Sequence, residues 1–169
     1  AIAEFSTGFR MEEGYLKTYA DYFARFIKAY EAEGLPLECI HVQNEPCSNQ
    51  VFPSCKWRTE DLTFFLGHYL GPTFERENIK TDIYFGTINT SNPDYVRTAL
   101  RDEQAAKYIK RVGFQWDGKK AIPTIHREYP NLNLMQTETE CGNGANSWDY
   151  AEYTWNLMKH YFSNGINSY

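Results

Sequence analysis

Near the start of the chain the apolar side chains recur with a helical period. Leu16, Tyr19, Ala20, Phe23, Ile27 and Tyr30 fall at i, i+3, i+4, i+7, i+11 and i+14, while Lys17, Asp21, Arg25, Lys28 and Glu31 lie outside that stripe. This spacing predicts an amphipathic helix. It should stop near Glu33, because Gly34 can adopt the left-handed cap and Pro36 blocks continuation. A strand is predicted over 37–43.

The pattern then alternates. Thr59-Glu60-Asp61-Leu62 reads as a helix start with Thr59 as N-cap, and Leu62, Phe65, Leu66, Tyr69 and Leu70 form its apolar stripe up to an interruption at Gly71-Pro72. Asp82 to Gly86 is the next strand. A helix over 94–110 opens at Asn92-Pro93-Asp94, and Val112 to Trp116 is a strand. Residues 120–129 read as a helix ending at Tyr129-Pro130, 132–137 as a strand, and 148–163 as a helix with Tyr150, Tyr153, Leu157, Met158 and Tyr161 inward. Gly165 to Tyr169 begins one more strand.

Strands alternating with helices through short connections imply a parallel sheet with right-handed crossovers. Two α/β architectures fit: an open doubly wound sheet, or part of a (β/α)8 TIM barrel. No GxGxxG or P-loop follows the first strand, which removes the usual marks of a nucleotide-binding open sheet. A full barrel takes about 250 residues. At 169 residues the chain is expected to be a single incomplete barrel domain holding roughly five of the eight strands.

Composition narrows the partners. A hydrophobic fraction of 42% supplies one core of ordinary size. The net charge of -5 and the lack of a Lys/Arg run argue against nucleic acid or an anionic membrane. No basic-then-apolar leader or membrane span is visible, which leaves a secreted or a cytoplasmic location open. Cys39, Cys47, Cys55 and Cys141 form no CxxC pair and read as structural thiols, with Cys47 and Cys55 able to bridge in an oxidising compartment. His41, His68, His126 and His160 lack metal-ligand spacing. No metal and no cofactor is expected.

Ligand sites in parallel α/β folds form at the carboxyl ends of the strands. Those ends read Gln43-Asn44-Glu45, Gly86-Thr87-Ile88-Asn89, Gln115-Trp116-Asp117, Thr137-Glu138 and Asn167-Ser168-Tyr169. Carboxylates, amides, hydroxyls and an indole are the groups that hold a polyhydroxylated ring. Two glutamates at strand ends of one sheet suit glycoside hydrolysis, which needs a pair of carboxyl groups. Taken singly, Glu45 or Glu138 would be a solvated loop acid, and Glu140 competes with Glu138.

Longer stretches carry a family resemblance. Tyr19-Ala20-Asp21-Tyr22-Phe23 through Glu33-Gly34, His41-Val42-Gln43-Asn44-Glu45-Pro46, Leu70-Gly71-Pro72-Thr73, Met135-Gln136-Thr137-Glu138-Thr139-Glu140-Cys141-Gly142 and Ser147-Trp148-Asp149-Tyr150 together resemble glycoside hydrolase family 30, the glucosylceramidase family. The resemblance implies a retaining β-glycosidase whose barrel strands 4 and 7 carry the two glutamates. Glu45 would be the acid/base and Glu138 the nucleophile, with carboxyl groups about 5 to 5.5 Å apart.

Asn44 would bind the sugar 2-hydroxyl. Trp116 matches a family tryptophan beside the nucleophile and the sugar, but Gln115 stands where family members often have His, and Asp117 where an aromatic is frequent. Trp148 fits a pocket tryptophan or a core anchor at a helix start. Asn89, in the sequon Asn89-Thr90-Ser91, and Tyr169 are strand-end candidates for substrate contact. Phe52 and Trp57 either shape the leaving-group side or pack their loop. The implied substrates are β-glucosides such as glucosylceramide, with β-1,6-glucan or β-xylosides as alternatives within the family. A non-catalytic carbohydrate-binding or purely structural α/β domain is the reading outside it. The family also implies a glycolipid or carbohydrate partner, a completing set of barrel strands and a β-sandwich beyond this chain.

Overall fold

The computed structural model describes residues 6–50, 54–140 and 143–169. Five parallel strands form its main sheet: β2 (Cys39–His41), β4 (Asp82–Ile88), β5 (Ile109–Gln115), β6 (Asn133–Glu138) and β7 (Ile166–Ser168). They lie in the order β2-β4-β5-β6-β7. Each new strand is added on the same side as the last, so the sheet has no point where the winding reverses. That decides between the two architectures: this is an arc of a (β/α)8 barrel, not a doubly wound sheet. A separate short parallel pair, β1 (Ser6–Gly8) with β3 (Ser54–Lys56), lies outside the five-stranded sheet and was not evident in the pattern.

Among the described residues, seven α-helices join the strands: α1 (Glu13–Ala32), α2 (Thr59–Phe65), α3 (Gly71–Arg76), α4 (Asp94–Arg101), α5 (Glu103–Ala106), α6 (Ile122–Glu128) and α7 (Trp148–Ser163). Phe85, Val112, Leu134 and Ile166 stand in register across four strands and are all buried. Leu16, Ala20, Phe23 and Ile27 of α1 and Leu62, Phe65, Leu66 and Leu70 belong to the same core. Alternation along the strands turns the intervening residues to the other face. There His41 packs edge-on to Tyr84 with centroids 5.4 Å apart, and a Cβ at Gly113 would meet His41 Cε1 at 2.6 Å. Burial brings the His41 imidazole down to about 4, in keeping with a structural rather than a titrating histidine.

Several boundaries differ from the sequence reading. Gly71-Pro72 does not interrupt the second helix. A π-helical turn over Leu66–Leu70 connects α2 to α3, with the Gly71 N–H bonded to the Leu66 carbonyl, so Pro72 enters in the first turn of α3. Gly71 is needed instead for close approach, because a Cβ there would lie 2.2 Å from the Tyr108 ring. Thr59 is not the cap of α2; Arg58 holds that position and the Thr59 hydroxyl donates to the Tyr95 carbonyl at 2.6 Å. The helix foreseen over 94–110 breaks at Asp102, whose carboxylate accepts from the Gln104 and Ala105 N–H groups at 3.0 and 2.9 Å and caps α5. Tyr30 and Tyr153 are exposed rather than inward. Trp116 leaves the strand and opens a 3-10 turn over Trp116–Lys120. Among the described residues no helix is long and apolar enough to cross a membrane.

Candidate active site

The carboxyl end of β2 delivers Glu45. Val42 is buried in the core, and the chain then turns at Glu45, which takes a left-handed φ of 47°. A bulky residue seldom adopts that conformation. Here it is held by hydrogen bonds on both sides: the Glu45 N–H donates to Thr87 Oγ1 at 3.2 Å, and the Ser48 N–H donates to the Glu45 carbonyl at 2.9 Å. Gln50 Nε2 donates to Glu45 Oε2 at 2.6 Å. Trp57 packs the following loop, stacked on Phe9 with centroids 4.4 Å apart. Asn89 also serves that loop: its Oδ1 accepts from the Cys47 N–H at 3.1 Å and its Nδ2 donates to Ser48 Oγ.

At the end of β6 stands Glu138. A register shift between β5 and β6 pairs Gln115 with Glu138 and brings the turn after β5 beside the glutamate. Trp116 has a left-handed φ of 48°, and its indole N–H donates to Glu138 Oε1 at 3.2 Å. Glu45, Asn78 and Trp116 are the non-glycine residues with positive φ among those described. Asparagine tolerates the conformation. The two that do not are both at strand ends carrying candidate chemistry.

A string of side chains joins the two strand ends. Thr87 Oγ1, which accepts from the Glu45 N–H, donates to Asn44 Oδ1 at 3.3 Å. Asn44 Oδ1 also accepts from Gln115 Nε2 at 3.3 Å, and Gln115 Oε1 accepts from the Thr137 hydroxyl at 3.1 Å. Gln115 is 1% exposed, so its two amide partners matter energetically. The string crosses β2, β4, β5 and β6 and ends on the residue before Glu138.

Glu140 is differently placed from Glu138. Its carboxylate receives Lys119 Nζ at 2.5 Å, the Thr139 hydroxyl at 2.7 Å and the Tyr153 hydroxyl at 2.9 Å. Burial pushes this carboxyl up, but those donors and its own backbone N–H outweigh it and bring it to about 2. Glu140 is thus a saturated, ion-paired anion. Glu138, exposed at the strand end with one indole donor, is the carboxylate open to a ligand.

The remaining candidates sit apart from this string. Trp148 is 77% exposed at the start of α7 and its indole donates to Glu152 at 2.7 Å, so it is not a core anchor. Tyr169 stacks on Phe162 with centroids 5.8 Å apart and meets Tyr161 edge-on. Cys39, Cys47 and Cys55 are free thiols, and burial raises the Cys47 thiol to about 11. Phe52 and Cys141 lie outside the described residues. Among the described residues no group of three or more His, Cys, Asp or Glu is arranged to hold a metal. Sequence reasoning missed Gln50 and Lys119 as site residues. It placed Thr87 and Thr137 at strand ends as hydroxyls but did not foresee that they link the two glutamate turns.

The model described as the glycosyl hydrolase family 30 TIM-barrel domain matches residues 7–168. The chain belongs to glycosyl hydrolase family 30. It is 30% identical over 142 residues to the endo-1,6-beta-D-glucanase neg1 of Aspergillus fumigatus, covering 82% of this chain and 29% of that protein. It is 26% identical over 140 residues to the lysosomal acid glucosylceramidase of Mus musculus, covering 75% and 27%. Among solved structures, the endo-beta1,6-glucanase BT3312 superposes with a TM-score of 0.84 at 24% identity, covering 98% of this chain and 38% of that one. The last likeness shows the shared fold. This family 30 chain therefore spans about 30% of the length of the curated relatives it matches.

Proposed function

We propose that the protein containing this chain is a retaining β-glycoside hydrolase in which Glu138 is the nucleophile and Glu45 the acid/base. The observation that carries this reading is the hydrogen-bonded string from the Glu45 turn to Thr137, which ties the two glutamates' strand ends into one unit. In the double displacement, ionised Glu138 attacks the anomeric carbon while protonated Glu45 gives its proton to the departing oxygen. Glu45 then takes a proton from water as that water releases the sugar from Glu138. Trp116 supports the nucleophile through its indole N–H, orienting the carboxylate for attack.

Asn44 contributes through its amide. Its oxygen is occupied by Thr87 and Gln115, which leaves its N–H groups to offer a hydrogen bond to the sugar 2-hydroxyl. Such a bond strengthens as the oxocarbenium-like transition state forms. Trp148, Asn89 and Tyr169 are outer candidates. Trp148 and Tyr169 offer exposed rings, whereas Asn89 acts through the loop that carries Glu45.

Two β-glucoside substrates are proposed, glucosylceramide and β-1,6-glucan. The likeness to the Aspergillus fumigatus endo-1,6-beta-D-glucanase supports the second as much as the likeness to the mouse glucosylceramidase supports the first. We infer that the remaining barrel strands and an accessory β-sandwich belong to the full-length protein. The test is hydrolysis of β-1,6-glucan and of glucosylceramide in micelles by that protein, with the first-formed product followed by proton NMR. The expected first product is the β-anomer from at least one of the two. An α-anomer would mean inversion and a different role for Glu138. Turnover of β-xylosides alone would overturn the glucoside assignment.

A further inference from the structure

Lys119 stands out among the cations near the site because it binds two different segments. Its Nζ donates to the Trp116 carbonyl at 3.3 Å and to Glu140 Oε1 at 2.5 Å. Both charged side chains are about three-quarters covered, at 21% and 24% exposure. The neighbouring pair Lys120–Asp117 is mostly solvated at 66% and 48%, the arrangement from which little stability is expected.

The other ends of the Lys119–Glu140 bridge are also fixed. Tyr153 of α7 and Thr139 donate to Glu140, Tyr161 donates to Thr139 at 3.1 Å, and His160 Nε2 contacts the Lys119 carbonyl at 3.0 Å. The turn after β5 and the loop after β6 are thereby locked to one helix. Within that lock sits Trp116 in its left-handed conformation, which persists only where surrounding contacts over-determine it.

We propose that Lys119 and Glu140 form a positioning pair that holds the Trp116 turn so that the indole N–H stays on Glu138. Neither residue touches the reacting atoms; each acts through Trp116. The proposal rests on the reading of Glu138 as nucleophile only for its effect on turnover, whereas the indole contact exists independently of any activity.

The test uses the full-length protein carrying Lys119→Met, and Glu140→Gln as a neutral isostere should the first fail to fold. Lys120→Met is the control, and Lys119→Arg the conservative variant. We expect either pair variant to lower kcat roughly ten- to a hundredfold, the scale of a small misplacement, with KM within about twofold and with Lys119→Arg recovering most of the loss. In parallel, the Trp116 indole N–H resonance is followed by 15N-labelled NMR. It should move on Glu138→Gln in the otherwise native protein and stop responding to that substitution once Lys119→Met is present. A folded pair variant with native kcat, or an indole resonance that still follows Glu138→Gln, overturns the proposal. Should the native protein hydrolyse no glycoside, the assigned function fails while the indole measurement still decides the positioning role.

Discussion

Glu45 and Trp116 both spend a left-handed backbone conformation at a strand end, and each is held there by hydrogen bonds rather than by packing alone. The functional consequence belongs to single residues. Glu45→Gln should cut kcat on unactivated glycosides by about 10²- to 10⁴-fold, the usual worth of a general acid/base. Much of the loss should disappear with an aryl leaving group that needs no proton, and azide should restore turnover as a glycosyl azide. Gln115 is buried and spans Asn44 and Thr137. Gln115→Leu should therefore strand polar groups in the core, lowering stability by about 1–3 kcal/mol and kcat more than KM. Urea unfolding and steady-state kinetics check the two parts.

Glu140 makes a separate prediction through pH. Its folded carboxyl lies at about 2 against an ordinary 4.5, so the folded state binds this proton less readily than the unfolded chain. The stability from its donors should be present in full above about pH 4.5 and be lost as pH falls through about 2. Urea midpoints measured between about pH 6 and pH 2 should show that decline, and Glu140→Gln should remove this component of it.

Among the elements, the long periodic stretches were legible and their interruptions were not. The α1 stripe and the 148–163 helix follow from spacing because packing rewards the centre of each stripe, Leu16, Ala20, Phe23 and Ile27 in α1 and Leu157 and Tyr161 in α7, while Tyr30 and Tyr153 at its margins stay exposed. Gly71-Pro72 misleads, since the π-helical turn absorbs the proline and the glycine answers to Tyr108, a residue far away in sequence. Gly71→Ala should cost about 1–3 kcal/mol by overpacking, and Tyr108→Ala should relieve much of that cost in the double variant. Asp102 is a break that local chemistry could have revealed, being a capping acid directly before Glu103-Gln104-Ala105, whose first-turn N–H groups it accepts from. Asp102→Ala should destabilise by about 1 kcal/mol. At the site, strand-end glutamates were legible from the apolar runs before them. The hydrogen-bonded string was not, because its members come from four strands and only the register brings them together.

For the whole molecule, the sheet is an arc whose outer strands are β2 and β7. On one flank Tyr22, Phe26 and Tyr30 of α1 are exposed; on the other, Trp148, Trp155 and Phe162 recur at i, i+7 and i+14 on α7 and are exposed too. Such edges and aromatic faces favour association when nothing covers them. We therefore expect residues 1–169 expressed alone to self-associate and to lack turnover, with the full-length protein monodisperse and active. Light scattering alongside a glycosidase assay would show it, and an active monomer of 169 residues would contradict it.

The central claim is that Glu138, not Glu140, forms the covalent glycosyl bond in a two-glutamate site. The most direct test is labelling of the full-length protein with a gluco-configured epoxide inositol, followed by peptide mass mapping. The account predicts a single adduct on Glu138 that disappears in Glu138→Gln. An adduct on Glu140, or labelling that survives Glu138→Gln, would contradict it.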